Sequence, residues 1–171
     1  MGKSTTARRA ELFGGLRGRF REALLDAGIA TVGGTLGIAA IVALGVVFSN
    51  PLLIAPFGST CMMIFGAPET PFARPRNVLG GHLICTATGL AALEWLGDRA
   101  WVAAIAVGVA MGLMKLTRTF HPPAGGDPIV VILSSPAWLF VVVPVLLGCV
   151  TLICVAFVFH KLSKRASYPL W

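Results

Sequence analysis

The sequence predicts an all-α, polytopic membrane protein, and three observations lead to this fold class. Of the 171 residues, 56% are hydrophobic and only 12% are charged, whereas soluble domains are usually about a quarter charged. The mean hydropathy of +0.84 reflects long apolar runs separated by short polar stretches. Basic residues flank the first and last of these runs, which is typical of the cytoplasmic ends of membrane proteins. A soluble globule, a disordered chain and a soluble catalytic domain are therefore not expected.

The chain divides into an N-terminal region, a membrane domain and a basic tail. Residues 8–27 carry apolar side chains at spacings of three and four between arginines, which predicts a basic amphipathic helix on the cytoplasmic membrane surface. A disordered basic tail is the alternative. We assign residues 1–27 to this N-terminal helix, 28–160 to the transmembrane domain and 161–171 to a basic cytoplasmic tail. Membrane topology explains the net charge of +7 better than nucleic-acid binding does.

Two kinds of apolar segment alternate along the membrane domain. Crossing a bilayer takes about 20 helical residues, and four runs are long enough: residues 29–49, 78–96, 101–120 and 138–159. Two shorter segments are interrupted by proline and glycine: residues 50–68 and 121–136. Each half of the chain therefore consists of a long span, a broken segment and a second long span.

The distribution of basic residues favours a topology in which both broken segments cross. The chain then makes six crossings, and all 14 Lys and Arg residues except Arg99 lie in the cytoplasm with both termini. Six crossings also make two three-segment repeats of inverted topology, each containing a short Gly/Pro-broken helix. The alternative is four spans plus two re-entrant segments. A bacterial-type inner membrane is the expected location.

The two broken helices predict an interior site or pore, because irregular backbone at membrane depth must be buried by protein or line a cavity. Asp127-Pro128 is a helix-start signal with Asp127 as the N-cap, and Ser59-Thr60 is a similar candidate. Helix amino ends carry a partial positive charge, which suits an anion. Kinks and caps without a ligand are the structural alternative. The predicted pore residues are Gly58, Ser59, Thr60, His82, His121, Pro122, Pro123, Gly125, Gly126 and Asp127.

Histidine and basic side chains add to this predicted site. A pore-lining role is favoured for His121, whereas a structural role is equally plausible for His82, which follows Gly80-Gly81 in a small-residue surface. A cationic vestibule is predicted from four basic residues: Arg74, Arg76, Lys115 and Arg118. Such a vestibule would raise the local anion concentration, although snorkelling membrane anchors explain the same residues equally well.

The sequence gives no pattern typical of an enzyme. No nucleophile–base pair, metal-ligand spacing or nucleotide loop is apparent, so we predict no catalytic residue, metal or cofactor. The four cysteines are expected to be buried free thiols: Cys61, Cys85, Cys149 and Cys154. Two GxxxG patterns, residues 33–37 and 108–112, predict close helix packing. The scarcity of intramembrane carboxylates favours a passive pathway.

Two motifs resemble those of the HPP family of small integral membrane proteins. The sequence HPPAGGDP contains the His121-Pro122-Pro123 for which that family is named, and residues 55–82 resemble its other characteristic stretch. The resemblance covers roughly residues 29–160. Members usually have Ala-Gly-Ala where this chain has Ala124-Gly125-Gly126. The glycine at position 126 adds backbone flexibility beside Asp127. Some cyanobacterial and plastid members are associated with nitrite transport, so the resemblance implies transport of a small planar monoanion.

The predicted function is membrane transport of a small inorganic anion, with nitrite as the leading candidate. The channel or permease site would lie between the two broken helices. The alternatives are a non-transporting structural or regulatory subunit and a channel for a neutral small solute. The expected partners are the lipid bilayer and the anion, without nucleic acid, and the large apolar faces of so small a chain predict a homo-oligomer.

Overall fold

Six α-helices follow one another, with no strand, in the part of the chain that the computed structural model describes, residues 5–164 and 168–169. Side chains are described from residue 18 onward. The helices are α1 (Thr5–Val47), α2 (Ala55–Gly66), α3 (Pro75–Leu96), α4 (Ala100–Leu116), α5 (Asp127–Ser134) and α6 (Leu147–Ser163). Short 3₁₀ turns occur at Pro71–Ala73, Pro122–Gly126 and Trp138–Val141, and a π turn occupies Val142–Leu146. The all-α fold class is confirmed.

Helix α1 unites the predicted amphipathic helix and the first predicted span in one continuous helix. The helix has no break between residues 27 and 28, because residues 19–30 contain no proline and are mostly good helix formers. With 43 residues, α1 is about 65 Å long at 1.5 Å per residue, roughly twice the apolar thickness of a bilayer. The side chains of the predicted amphipathic face before residue 18, and the basic tail residues 165–167, lie outside the described residues.

Among the described residues, three helical stretches are long and apolar enough to cross a membrane: Gly18–Val47, Pro75–Leu96 and Trp138–Ser163. The sequence predicted a fourth over residues 101–120, but α4 is a shorter apolar helix that ends at Leu116. It ends there because Arg118 adopts a positive φ of 56°, while the Thr117 hydroxyl donates to the Leu113 carbonyl at 2.8 Å.

The last predicted span is helical in two parts. The 3₁₀ turn and the π turn precede α6, and Val143 within the π turn has the non-helical angles φ −129° and ψ 113°. Pro144 follows, and since proline has no backbone N–H it cannot continue a regular helix. α6 then runs on to Ser163, beyond the predicted end at residue 159.

The first broken segment runs antiparallel beside α1. It consists of an extended stretch, residues 51–54, and the 12-residue helix α2. Leu52 lies beside Gly45 near the carboxyl end of α1, and Phe65 lies beside Gly33, about three turns earlier. The segment therefore returns along most of the apolar length of α1.

The second broken segment runs parallel to α3. It consists of the Pro122–Gly126 turn and α5, which has only eight residues. Thr119 packs beside Gly80 near the beginning of α3. At the other end, the Trp138 indole N–H donates to the Glu94 carboxylate at 3.1 Å. The second broken segment therefore also extends along most of its neighbouring helix.

Two separate apolar cores hold the helices together. The larger core joins α1, α2 and α6 with Val78 near the start of α3, and its fully buried members include Ile41, Phe57, Ile64 and Leu152. The smaller core joins α3, α4 and the 3₁₀ turn that precedes α5, through Cys85, Ala110, Met114 and Ala124. The space between these cores is where the polar side chains of the membrane domain meet.

The cysteine and GxxxG predictions are confirmed only in part. All four cysteines are free, but Cys154 is exposed on α6 whereas the other three are buried. Gly33 packs against Phe65, as a close-packing glycine should, but Gly108 and Gly112 have open space around them. The α4 pattern therefore makes no close helix contact within the described chain.

Candidate functional site

Among the side chains that the structure describes, five polar ones are fully buried between the two apolar cores. They are Thr60 on α2, His82 and Thr86 on α3, His121 before the 3₁₀ turn, and Asp127 at the start of α5, each 0% exposed. We call these five residues the polar network. Ionisable groups at membrane depth are energetically expensive and usually mark functional sites.

Asp127 and His82 form the ionisable centre of the polar network. His82 Nδ1 lies 2.7 Å from Asp127 Oδ2. The Thr86 hydroxyl donates to the same oxygen at 3.2 Å. Asp127 Oδ1 is buried and has no hydrogen-bond partner among the described residues. The pair therefore holds one carboxylate oxygen firmly and leaves the other unsatisfied.

Thr60 connects this pair to the second histidine. Its Oγ1 lies 2.8 Å from His82 Nε2 and 3.1 Å from His121 Nε2. The same oxygen is 3.2 Å from the Pro56 carbonyl one turn earlier in α2. On its far side, His121 Nδ1–H donates to the Phe72 carbonyl at 2.8 Å. A continuous hydrogen-bonded chain thus runs from Asp127 to a backbone carbonyl beyond α2.

Glycines allow the elements that carry these side chains to approach closely. A Cβ placed on Gly81 would lie only 2.6 Å from the Cβ of His121, and one on Gly89 would lie 2.9 Å from the Cα of Pro128. On α6, Gly148 similarly leaves room for the ring of Phe57. These glycines therefore determine how close α5, the 3₁₀ turn and α2 come to the histidines.

The predicted capping role of Asp127 is wrong, although α5 does begin there. Gly126 occupies the N-cap position, and no side chain makes a capping hydrogen bond. The Asp127 carboxylate instead contacts His82 and Thr86 of α3. The predicted helix start at Ser59-Thr60 is also wrong, since α2 begins at Ala55 and places both residues inside the helix.

The other predicted pore residues surround the network without joining it. Gly58 and Ser59 are exposed on α2 whereas Thr60 is buried, and Pro122 is exposed as well. Pro123, Gly125 and Gly126 are half-buried. A Cβ on Gly126 would lie 3.1 Å from the Pro56 ring, so the two broken segments touch at this glycine.

The predicted basic residues lie together at one end of α3 and α4. The Arg76 guanidinium donates to the Arg118 carbonyl at 2.7 Å, and the Lys115 ammonium lies 4.0 Å from the centre of the Phe120 ring. Arg74 is half-buried at the N-cap position of α3. We call these four basic residues the cationic end. Arg76 precedes His82 by six residues, or about 9 Å along the helix.

Sequence reasoning missed three contributors to this site. Thr86 lies four residues after His82 and therefore on the same face of α3, a spacing that was visible in the sequence. The Phe72 carbonyl and the Phe57 ring, 5.4 Å from the His82 ring, left no comparable signal. His82 and Asp127 are potential metal ligands, but the described residues offer no group of three.

Comparison with known proteins gives the family. The family model described as HPP, transmembrane region, matches residues 19–169. The chain is 32% identical over 128 residues to one transmembrane protein of Dictyostelium discoideum and 30% identical over 127 residues to another. The aligned parts cover 70% of this chain but only 45% and 41% of those relatives, so the chain spans less than half of their length. No solved structure matches the chain. The family match includes both broken segments and every residue of the polar network, and the chain belongs to the HPP family of transmembrane proteins.

Proposed function

We propose that the chain transports a small anion across a membrane, with nitrite as the leading candidate. The observation that carries this proposal is that the two broken segments meet at a buried polar network containing a carboxylate and two histidines. A protein whose helices only support a partner has no need to bury such groups, which are costly in a membrane.

The packing supports the prediction that the first broken segment crosses the membrane. Leu52 lies beside Gly45 at one end of α1, and the segment then continues past Phe65. Beyond α2, Glu69 lines a cavity of about 220 Å³ together with Asp26 of α1. The segment thus ends level with the polar residues that precede the apolar part of α1, which a re-entrant loop would not reach.

Packing likewise supports the prediction that the second broken segment crosses the membrane. It begins near the cationic end, where Arg118 accepts a hydrogen bond from Arg76. Two residues beyond its end, Trp138 bonds Glu94 close to the other end of α3. The residues from 76 to 94 correspond to about 27 Å of helix, close to the apolar thickness of a bilayer.

The arrangement of the two cores supports the inverted repeat. In an inverted repeat of two halves, α1 is equivalent to α4, α2 to α5 and α3 to α6. The group α1–α2–α6 is then equivalent to the group α4–α5–α3. Most helix contacts within the chain follow this division: α1 packs on α2 and α6, while α3 packs on α4 and α5 and touches α6 less extensively. Each group thus exchanges one helix with the other, as expected for two interlocked repeats of opposite orientation.

Charge supports an anion as the substrate. The cationic end would attract anions to one mouth of the pathway, and the polar network lies about 9 Å further along α3. Nitrite is favoured among small anions because some members of the family are associated with its transport. Since the network side chains are 0% exposed, the described conformation is closed at this point, and passage requires the broken segments to separate.

Nitrite uptake into proteoliposomes tests this proposal with a matched pair of neighbouring variants. Thr60→Val removes the hydroxyl that joins the two histidines and keeps the side-chain shape, so uptake should fall at least tenfold. Ser59→Ala changes an exposed hydroxyl on α2 and should leave uptake within twofold of the unmodified protein. Urea uptake serves as the neutral-solute comparison.

The alternatives give different results in the same assay. A structural subunit would carry neither solute above the level of protein-free vesicles. A neutral-solute channel would carry urea and ignore the anion. Loss of the positive charges by Arg76→Gln or Lys115→Gln would then have no selective effect on nitrite. Under our proposal these two variants slow nitrite uptake severalfold at low ionic strength and less so at high salt.

We also propose that both termini lie on the cytoplasmic side and that the chain forms a homo-oligomer in a bacterial-type inner membrane. The apolar side chains that are exposed on α1 and α4, such as Val46 and Leu116, provide surface for lipid and for other copies. Cross-linking in native membranes measures the oligomeric state.

A further inference from the structure

With Asp127 ionised and both histidines neutral, the contacts around Thr60 include more hydrogen-bond acceptors than donors. The His121 ring must keep its proton on Nδ1, because the Phe72 carbonyl can only accept. If Asp127 is ionised and His82 is neutral, the His82 proton lies on Nδ1, facing the carboxylate. Both Nε2 atoms are then acceptors, and both face the same Thr60 oxygen.

The Thr60 hydroxyl has a single proton and cannot satisfy both rings. One of its two contacts, at 2.8 Å to His82 or 3.1 Å to His121, would then set a nitrogen lone pair against an oxygen lone pair. The network would also carry one uncompensated negative charge in a site with no exposed side chain. Both features are unfavourable in a low-dielectric interior.

One additional proton satisfies both contacts between Thr60 and the histidines and makes the network electrically neutral. The proton can lie on the Asp127 carboxyl, on His82 as an imidazolium, or on His121 as an imidazolium. In each arrangement the Thr60 oxygen accepts from one ring and its hydroxyl donates to the other. The three arrangements interconvert when protons move along existing hydrogen bonds, without displacement of any heavy atom.

None of the described residues around the polar network supplies another charge that could compensate the Asp127 carboxylate. The titratable groups that face it are the thiols of Cys85 on α3 and Cys149 on α6. The ring of Phe57 on α2 packs against the His82 imidazole. On α4, the nearby core residues Ala110 and Met114 are apolar.

We propose that the hydrogen-bonded chain from Asp127 to His121 is a proton-binding site, that it holds one proton in the closed conformation, and that this proton travels with the transported anion. Without the proton, the negative charge of the network repels an anion that enters between the broken segments. With it, the network is neutral and its histidines can donate to the anion. Proton and anion therefore favour each other's binding, and the pair crosses without net charge. The coupling rests on the proposed function, whereas the proton-binding site does not.

Spectroscopy tests the proton-binding site without any transport. In purified protein near neutral pH, infrared absorption detects a protonated carboxyl, and nitrogen NMR of labelled histidines detects an imidazolium. We expect one of these signals from Asp127, His82 or His121, and Asp127→Asn should abolish it. An ionised Asp127 together with two neutral imidazoles would overturn the proposal.

Flux measurements test the coupling. Asp127→Asn is the matched variant, because an amide that donates to His82 Nδ1 reproduces this contact of the arrangement with a protonated Asp127 and cannot release the proton. Protein-dependent nitrite uptake should rise severalfold with an inward proton gradient and should not respond to a potassium diffusion potential. In Asp127→Asn, exchange of nitrite for nitrite should persist while stimulation by the gradient is lost. Passive entry of nitrous acid is subtracted with protein-free vesicles.

The possible failures can be told apart. Absence of protein-dependent nitrite flux would contradict the proposed function, and the spectroscopic result would still decide whether the network binds a proton. Nitrite flux that follows the membrane potential and ignores the proton gradient would overturn the coupling and leave anion transport intact.

Discussion

At the scale of single residues, His160 stabilises the end of α2 with a hydrogen bond that the helix cannot make itself. The Ile64 carbonyl would accept from the N–H four residues later, but that residue is Pro68, which has none. His160 Nε2–H donates to this carbonyl at 2.8 Å, and the imidazole is buried. The Tyr168 ring packs 5.3 Å from the imidazole. Burial raises the pKa of the Tyr168 phenol, so this neighbour remains uncharged at neutral pH.

Replacing this imidazole should therefore lower stability. His160→Leu leaves a buried carbonyl without a partner, which costs about 1–3 kcal/mol. Thermal unfolding of the purified protein in detergent measures the loss as a lower midpoint. Lys161→Ala, at the exposed neighbouring position, is the control and should change stability by less than about 0.5 kcal/mol. Equal midpoints for the two variants would argue against this role of His160.

Residue type and hydropathy are sufficient to single out Thr60, His82, His121 and Asp127, because polar groups beside Gly/Pro breaks in apolar segments are few. Their pairing is not predictable in this way. Asp127 and His82 are 45 positions apart, and they meet only because α5 packs on α3. The expected passive pathway relied on the scarcity of intramembrane carboxylates. One buried carboxylate that is hydrogen-bonded to a histidine is enough to support the proposal of proton-coupled transport instead.

At the scale of the elements, the spacing between α3 and α5 depends on Gly89. The helix backbone of α5 passes so close that a Cβ on Gly89 would lie 2.9 Å from Pro128 Cα and 3.2 Å from Val131 Cβ. A backbone atom cannot rotate away as a side chain can. Any larger residue at this position must therefore displace α5 and, with it, the Asp127 carboxylate.

Two glycine substitutions should have opposite effects for this reason. Gly89→Ala should destabilise the protein by about 1–3 kcal/mol through overpacking and should reduce nitrite uptake. Gly112→Ala on α4 meets open space and should be neutral or stabilising by up to about 1 kcal/mol, since alanine favours helix. Unfolding midpoints and uptake rates measured side by side provide the comparison. A destabilising Gly112→Ala would reveal a contact beyond the single chain.

Hydropathy predicts which segments are helical better than where the helices end. Both broken segments were located correctly, because proline and glycine interrupt apolar runs in a way that long spans do not tolerate. The end of α4 depends on the left-handed conformation of Arg118, for which the sequence carries little signal. The sequence did not predict that the N-terminal helix and the first span form one continuous helix, α1. The change from charged to apolar composition resembles a boundary, but the helical backbone continues through it.

At the scale of the whole molecule, cysteine labelling distinguishes the two topologies. In a background without native cysteines, Glu69→Cys and Thr117→Cys should be labelled from the same side as Lys161→Cys, whereas Asp98→Cys should be labelled from the opposite side. The cavity that Glu69 shares with His160 favours this result. In the four-crossing arrangement Asp98→Cys would instead join Lys161→Cys, and the six-crossing proposal would be abandoned.

The division into two helix groups has a mechanical consequence. Only two stretches of chain connect the group α1–α2–α6 with the group α3–α4–α5 within residues 5–164, namely residues 67–74 and residues 135–146. The first tether is beside the cationic end, and the second is at the Glu94–Trp138 end. Under the proposed transport, separation of the two groups at one end would lengthen the tether there, while the opposite tether acts as the pivot. The flexibility of each tether would then determine how easily the pathway opens at its own end, and shortening one tether should leave the other end free to open.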